Sequence, residues 1–203
     1  MHGLLKALNS GGVGIYPTET LYAIGCDATC QEACERVASI KDRSKGKPLP
    51  LIIGGTDMLD MVTNEKTDSI SHLAEVFWPG PLSILVKALP ELPDMLSDED
   101  GYTSVRLSGH PFAAELSRRM KRPLVATSAN FSSKPPVGLP EDLDHDLLEQ
   151  VDEAYLDPPW PRGQKPSTVV RLLSASQVEI LREGAVTVKM LCDKGYSVSV
   201  NTP

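Results

Sequence analysis

Between Gly11 and Leu51 the chain passes from a buried strand through a hydroxyl-rich turn, a helix and a dense basic run into another strand. That succession commits it to an interleaved α/β fold. Val13 to Tyr16 form a short apolar run bounded by glycines and Pro17, the pattern of a fully buried strand. Pro17 stops it, and Thr18, Glu19 and Thr20 sit at its exit, where small hydroxyls hydrogen-bond a ligand without filling the space it needs. Gln31 to Lys41 reads as an amphipathic helix burying Ala33, Val37 and Ile40. Lys41, Arg43, Lys45 and Lys47, with Asp42 as the acid among them, then crowd the loop into a strand over Pro48 to Ile53. Such a cluster fits an oligophosphate or a nucleic acid, or is simply a solvated charge run.

Further along, Met1 to Ser10, Thr56 to Val62, Asp68 to Phe77 and Pro111 to Met120 read as helices. Leu82 to Val86 and Tyr102 to Leu107 read as strands, Pro123 to Thr127 as a central strand, and Val169 to Leu173 with Val178 to Leu181 as a late hairpin. Residues 132–144, rich in Pro, Gly and acids, mark an exposed connection. Several neighbouring strands lack a helix between them, so the sheet is expected to be mixed. A chain of 203 residues suits one domain, residues 1–203, with a core over about 11–184 and a short tail or strand over 185–203.

Composition narrows the function. A formal charge of −7 argues against a protein whose main task is coating nucleic acid. No apolar run reaches transmembrane length and no signal segment follows Met1, so a soluble cytoplasmic protein is expected, with no membrane partner. Cys26, Cys30 and Cys34 lack the tight pairing of a metal site, the four histidines are scattered, and free thiols are expected with no metal centre. There is no Walker-type glycine–lysine loop and no evident nucleophile–base pair.

Six blocks occur in a telling order: PTET-LYAIG, IKDRSKGKPL, FWPGPLSILV, SVRLSGHP, LVATSAN and a late STVV with ILREG. From about Gly11 to Gly184 the chain resembles the YrdC family of threonylcarbamoyl-AMP synthases. The resemblance implies a YrdC-like twisted mixed sheet flanked by helices and curved around a basic cleft. It implies an activated threonine carbamate made from L-threonine, bicarbonate or CO2, and ATP, with Mg2+ carried by the ATP. The product passes to a tRNA threonylcarbamoyl-transferase complex, with at most weak tRNA contact by the synthase itself. Carbamate attack on the α-phosphorus needs positioning and charge neutralisation rather than a covalent enzyme intermediate.

Arg43 is the strongest phosphate ligand on chemical grounds, since guanidinium forks match phosphoryl oxygens. Lys41 joins it as a catalytic cation, although a lysine there also suits the negative end of the preceding helix. Lys45 reads as a solvated neighbour. Ser128 and Asn130 follow a strand end, where α/β sheets bind ligands, and are also common turn formers. By resemblance Lys47, Ser128, Asn130 and Arg182 join Arg43 on the nucleotide, and Ser167 contributes beside Thr168. By resemblance, too, Thr20, Ala126 and Thr168 contact threonine, and Arg106 meets its carboxylate; a structural salt bridge is the other reading of Arg106. Ala23, Ile52, Ser133 and Pro136 depart from the usual family residues. The alternative function is a YrdC-fold nucleotide- or RNA-binding paralogue that does not adenylate threonine. Carbamoyl transfer, as in larger proteins containing this fold, is disfavoured by the lack of zinc-finger-like cysteine pairs. Arg43→Ala is expected to abolish ATP-dependent turnover with the fold intact by circular dichroism; unchanged turnover removes Arg43 from the mechanism.

Overall fold

In the computed structural model, which describes residues 1–42, 47–132, 134–163 and 165–200, the chain opens with α1 (His2–Asn9) and β1 (Gly14–Pro17). It turns at Thr18–Leu21 into β2 (Tyr22–Gly25), which pairs antiparallel with β1. This second strand is fully buried over its four residues, so it lacks the in–out alternation that marks a half-buried strand in sequence. Next come α2 (Gln31–Ile40), β3 (Leu51–Ile53), α3 (Asp68–Phe77), β4 (Leu82–Lys87), β5 (Tyr102–Leu107) and α4 (Pro111–Met120). The remaining elements are β6 (Leu124–Val125), β7 (Thr127–Ser128), α5 (His145–Leu148), β8 (Glu153–Ala154), β9 (Thr168–Ser174), β10 (Gln177–Arg182), α6 (Val188–Asp193) and β11 (Ser197–Val200).

The strands form two sheets, β7-β2-β1-β8 and β11-β10-β9-β4-β5-β3-β6. Both mix parallel and antiparallel pairs, as the missing crossover helices require. The C-terminal helix and strand extend the larger sheet, with β11 lying parallel to β10. Thr56–Met61 is a 3₁₀ turn instead of an α-helix; Met58 is its one buried residue, too little apolar surface to hold a longer helix against the core.

The segment expected as one central strand, Pro123 to Thr127, is instead broken at Ala126 and peripheral. Its first half is the edge strand of the larger sheet and its second half the edge of the smaller. At the break, Ala126 N–H donates to the Pro50 carbonyl at 2.9 Å, outside either ladder. The crossing presses so closely on β2 that a Cβ on Gly25 would sit 1.6 Å from the Val125 carbonyl oxygen and 2.8 Å from the Tyr16 hydroxyl. Tyr16 already donates that hydroxyl to the same carbonyl. On the other side Leu51, Ile52 and Ile53 are fully buried. Each is worth roughly 1.5–3 kcal/mol of burial, which anchors the strand that carries Pro50.

Gly25→Ala is expected to cost at least about 1–3 kcal/mol, because the obstructing atoms are backbone. Urea unfolding reads this directly, and an unchanged midpoint would mean that the crossing segment moves aside freely.

Candidate active site at the seam of the sheets

A cavity of about 120 Å³ opens where the two sheets meet. The β1–β2 turn supplies Thr18 and Thr20, β5 supplies Arg106, the crossing segment supplies Ala126 and Ser128, and the strand ends of the late hairpin supply Ser167 and Arg182. Of the residues expected at a site, Thr20, Arg106, Ala126, Ser128 and Arg182 are therefore brought together. Ser167, adjoining β9, joins them.

Each is held by a specific contact. Thr18 spends its hydroxyl inside the turn, donating to the Leu21 carbonyl at 2.7 Å, and lies 3.0 Å from the Thr20 hydroxyl. Arg106 is almost completely enclosed, and its Nε donates to Glu19 Oε1 at 2.9 Å. Ser108 donates to the other oxygen of that carboxylate. Burial alone pushes the Glu19 carboxyl up, but the Arg106 charge and the Ser108 bond outweigh it and hold the group below the usual carboxylate value. Arg182 reaches the Ser167 carbonyl through Nε and Nη2 at 3.2 and 2.9 Å, and the Ser167 hydroxyl at 3.1 Å. Ser83 lies behind Ser167, oxygen to oxygen at 3.1 Å.

Other expected residues sit elsewhere. Lys41 is buried, and its ammonium donates to the carbonyls of Ser128 and Asn130 and to Asn130 Oδ1. Asn130 directs its amide nitrogen to the carbonyls of Phe131 and Lys134. Thr168 is fully buried; its hydroxyl donates to the Val186 carbonyl at 2.6 Å and accepts from Gly184 and Val186 at 2.9 and 3.0 Å. It therefore pins the chain after β10 and turns no hydroxyl to the cavity. Lys47 is exposed on the approach to β3. Arg43, Lys45 and Ser133 lie outside the described residues.

Glu19, the partner of Arg106, is the neighbour of the cavity to which sequence reasoning assigned no role. An arginine on a buried strand demands an acid, but the chain holds 27 of them and no spacing rule reaches from residue 106 to residue 19. The cysteines stay apart from this chemistry. Cys26 and Cys34 are free and buried with sulfurs 3.8 Å apart, and the Cys34 contact and burial drive the Cys26 thiol far up, which makes it inert. No described helix is long and apolar enough to cross a membrane.

Residues 6–184, which contain every lining residue named above, match the Sua5/YciO/YrdC family, described as telomere recombination. The chain belongs to that family. A threonylcarbamoyl-AMP synthase of Xylella fastidiosa is 36% identical over 167 residues, covering 81% of this chain and 89% of that protein. P. abyssi Sua5 complexed with L-threonine is 25% identical with a TM-score of 0.88, over 97% of this chain. This chain spans 58% of that Sua5. E. coli YciO is 26% identical with a TM-score of 0.80, over 93% of this chain and 90% of its own.

Within this family member, the segment leading to β9 lies directly on the PTET turn. Gly163 N–H donates to the Glu19 carbonyl at 3.1 Å, and a Cβ on Gly163 would come within 2.7 Å of Thr20 Cα, so only glycine permits the approach. His110 fastens the preceding stretch. Its Nδ1 accepts from Phe112 N–H at 3.2 Å as the cap of α4, which leaves Nε2 to donate to the Pro159 carbonyl at 3.0 Å. The Nδ1 bond requires neutral imidazole, protonated at Nε2. Burial lowers its pKa against the opposing pulls of the Pro159 bond and Glu19, with Arg162 lowering it further.

A group with its folded pKa depressed binds more protons when unfolded. The stability contributed by His110 is therefore fully present above the ordinary value of 6.5 and lost as pH falls through the lowered folded value. Melting temperatures of the wild type and His110→Gln are expected to converge as pH drops from 7.5 to 5; a constant gap would show that His110 does not titrate in this way.

Proposed function

We propose that the chain is an L-threonylcarbamoyladenylate synthase, forming threonylcarbamoyl-AMP and pyrophosphate from L-threonine, bicarbonate or CO2, and ATP. The observation that carries this reading is Arg106, whose Nε is engaged by Glu19 while the residue lines a cavity of about 120 Å³. That volume is below the roughly 300 Å³ at which drug-sized pockets begin, so this recess suits a small amino acid and the nucleotide extends outward from it. The threonine complex of P. abyssi Sua5 and the Xylella fastidiosa synthase support the same assignment.

In this mechanism Arg106 takes the threonine carboxylate in a bidentate contact, and Thr20 and Ala126 border the rest of the amino acid. The amine, deprotonated, takes up bicarbonate with loss of water to give the carbamate. A carbamate oxygen then attacks the α-phosphorus, the bond to the β-phosphate oxygen breaks, and pyrophosphate leaves. Ser128, Ser167 and Arg182 border the phosphate side, and Arg43 and Lys47 add the positive charge that the triphosphate needs. Lys41 and Asn130 contribute by shaping the turn that presents Ser128. Among the described residues no carboxylate lines the cavity, and Glu19 is committed to Arg106 and Ser108. The described lining therefore offers Mg2+ poor ligands, and the ion would be carried by the ATP phosphates. The product is labile and is handed to a tRNA threonylcarbamoyl-transferase complex in the cytoplasm.

Pyrophosphate release from ATP is expected to require both L-threonine and bicarbonate and to favour L-threonine over L-serine. Release independent of the amino acid, or no release with ATP binding intact, would replace this reading with a nucleotide- or RNA-binding paralogue.

A further inference from the structure

We infer that Glu19 is a positioning residue for the substrate carboxylate, setting the guanidinium of Arg106 so that its two terminal nitrogens face the cavity. The inference rests on the proposed threonine site and adds a residue to it.

Glu19 divides its carboxylate between two residues on one side of the same chain segment. Oε1 takes Arg106 Nε at 2.9 Å, and Oε2 takes the hydroxyl of Ser108, two residues on. The carboxylate is therefore fixed at both oxygens and meets the guanidinium along the edge that carries Nε. Nη1 and Nη2 have no hydrogen-bond partner among the described residues, although the arginine side chain is only 4% exposed. Arg106 lines the cavity and Glu19 does not. The pair of donors left over has the spacing that a second carboxylate accepts in parallel.

The backbone of Glu19 is held as firmly as its side chain. Its carbonyl accepts from Gly163, whose missing Cβ lets that strand approach lie on Thr20. One residue thus ties the carboxylate-binding arginine to the segment that continues into Ser167. Without Glu19, Arg106 keeps its charge but loses the contact that selects which edge it presents, and a long side chain has many other rotamers.

The test measures L-threonine and ATP binding separately by calorimetry for wild type, Glu19→Ala and Glu19→Gln. The glutamine keeps an oxygen for Arg106 Nε and an amide for the Ser108 hydroxyl. Glu19→Ala is expected to weaken L-threonine binding by about tenfold or more and to change ATP affinity by less than about twofold, while Glu19→Gln recovers most of the loss. A folded Glu19→Ala with unchanged threonine affinity, or with both affinities reduced equally, overturns the inference. If the alanine variant does not fold, Ser108→Ala serves in its place. Removing one of the two tethers is expected to give a smaller loss selective for threonine, and no selective loss overturns the inference. Wild-type protein that binds no L-threonine would instead overturn the functional reading itself, and the wild-type arm keeps the two failures distinct.

Discussion

A guanidinium with 4% of its side chain exposed has to be neutralised where it stands, and here the neutralising carboxylate comes from the other sheet. Arg106 is on β5 of the seven-stranded sheet, while Glu19 is on the turn joining β1 and β2 of the four-stranded one. Desolvating two charges offsets much of their attraction, so such a pair is a poor source of net stability. What it enforces is register. Any arrangement that slides one sheet along the other leaves an uncompensated buried charge, which costs about 3–5 kcal/mol. The cavity inherits its shape from that requirement, since its walls come from both sheets.

Lys41 solves a related problem at the opposite wall. A two-residue edge strand such as β7 ends in carbonyls that no ladder satisfies. The buried ammonium at the end of α2 collects those of Ser128 and Asn130, and Ser132 returns a hydroxyl bond to the Lys41 carbonyl. With the carbonyls turned toward the lysine, Ser128 is left half-exposed at the cavity. The basic run thus changes character along its length: Lys41, its first cation, is internal, whereas Lys47 faces solvent.

The sequence discloses the fold best where one residue type answers one demand. Helices such as α3 and α4 are legible from their apolar faces and caps, and Thr67 and His110 do cap them. Legibility fails where two demands fall on one short run. Pro123 to Thr127 is apolar and rich in β-formers, as a central strand is, yet it serves as the edge of two sheets in succession. Its burial comes from residues remote in sequence, with Leu124 and Ala126 packed in one cluster with Tyr16, Ala23 and Ile52 and Val125 in the main core, so composition alone cannot separate the two cases. The strand after the PTET turn is hidden for a similar reason, since all four of its residues are inside.

The candidate site divides along the same line. Arg106, Ser128 and Arg182 are chemically conspicuous and do border the cavity. Thr168 and Lys41 are equally conspicuous, but their polar atoms are committed to neighbouring backbone. A hydroxyl or an ammonium in a sequence block advertises hydrogen-bonding capacity without saying whether the partner is a ligand or the protein's own chain. Burial decides it. Most enclosed polar groups are satisfied internally, and Thr168, with three bonds to backbone, belongs to the scaffold. Arg106 differs instructively: it is almost as enclosed, yet only its Nε is engaged, by Glu19, and its terminal nitrogens have no hydrogen-bond partner among the described residues. A buried cation with both terminal nitrogens unspent beside a cavity is how a folded chain reserves a place for an anion, and no single block of the sequence contains both of the residues that create it.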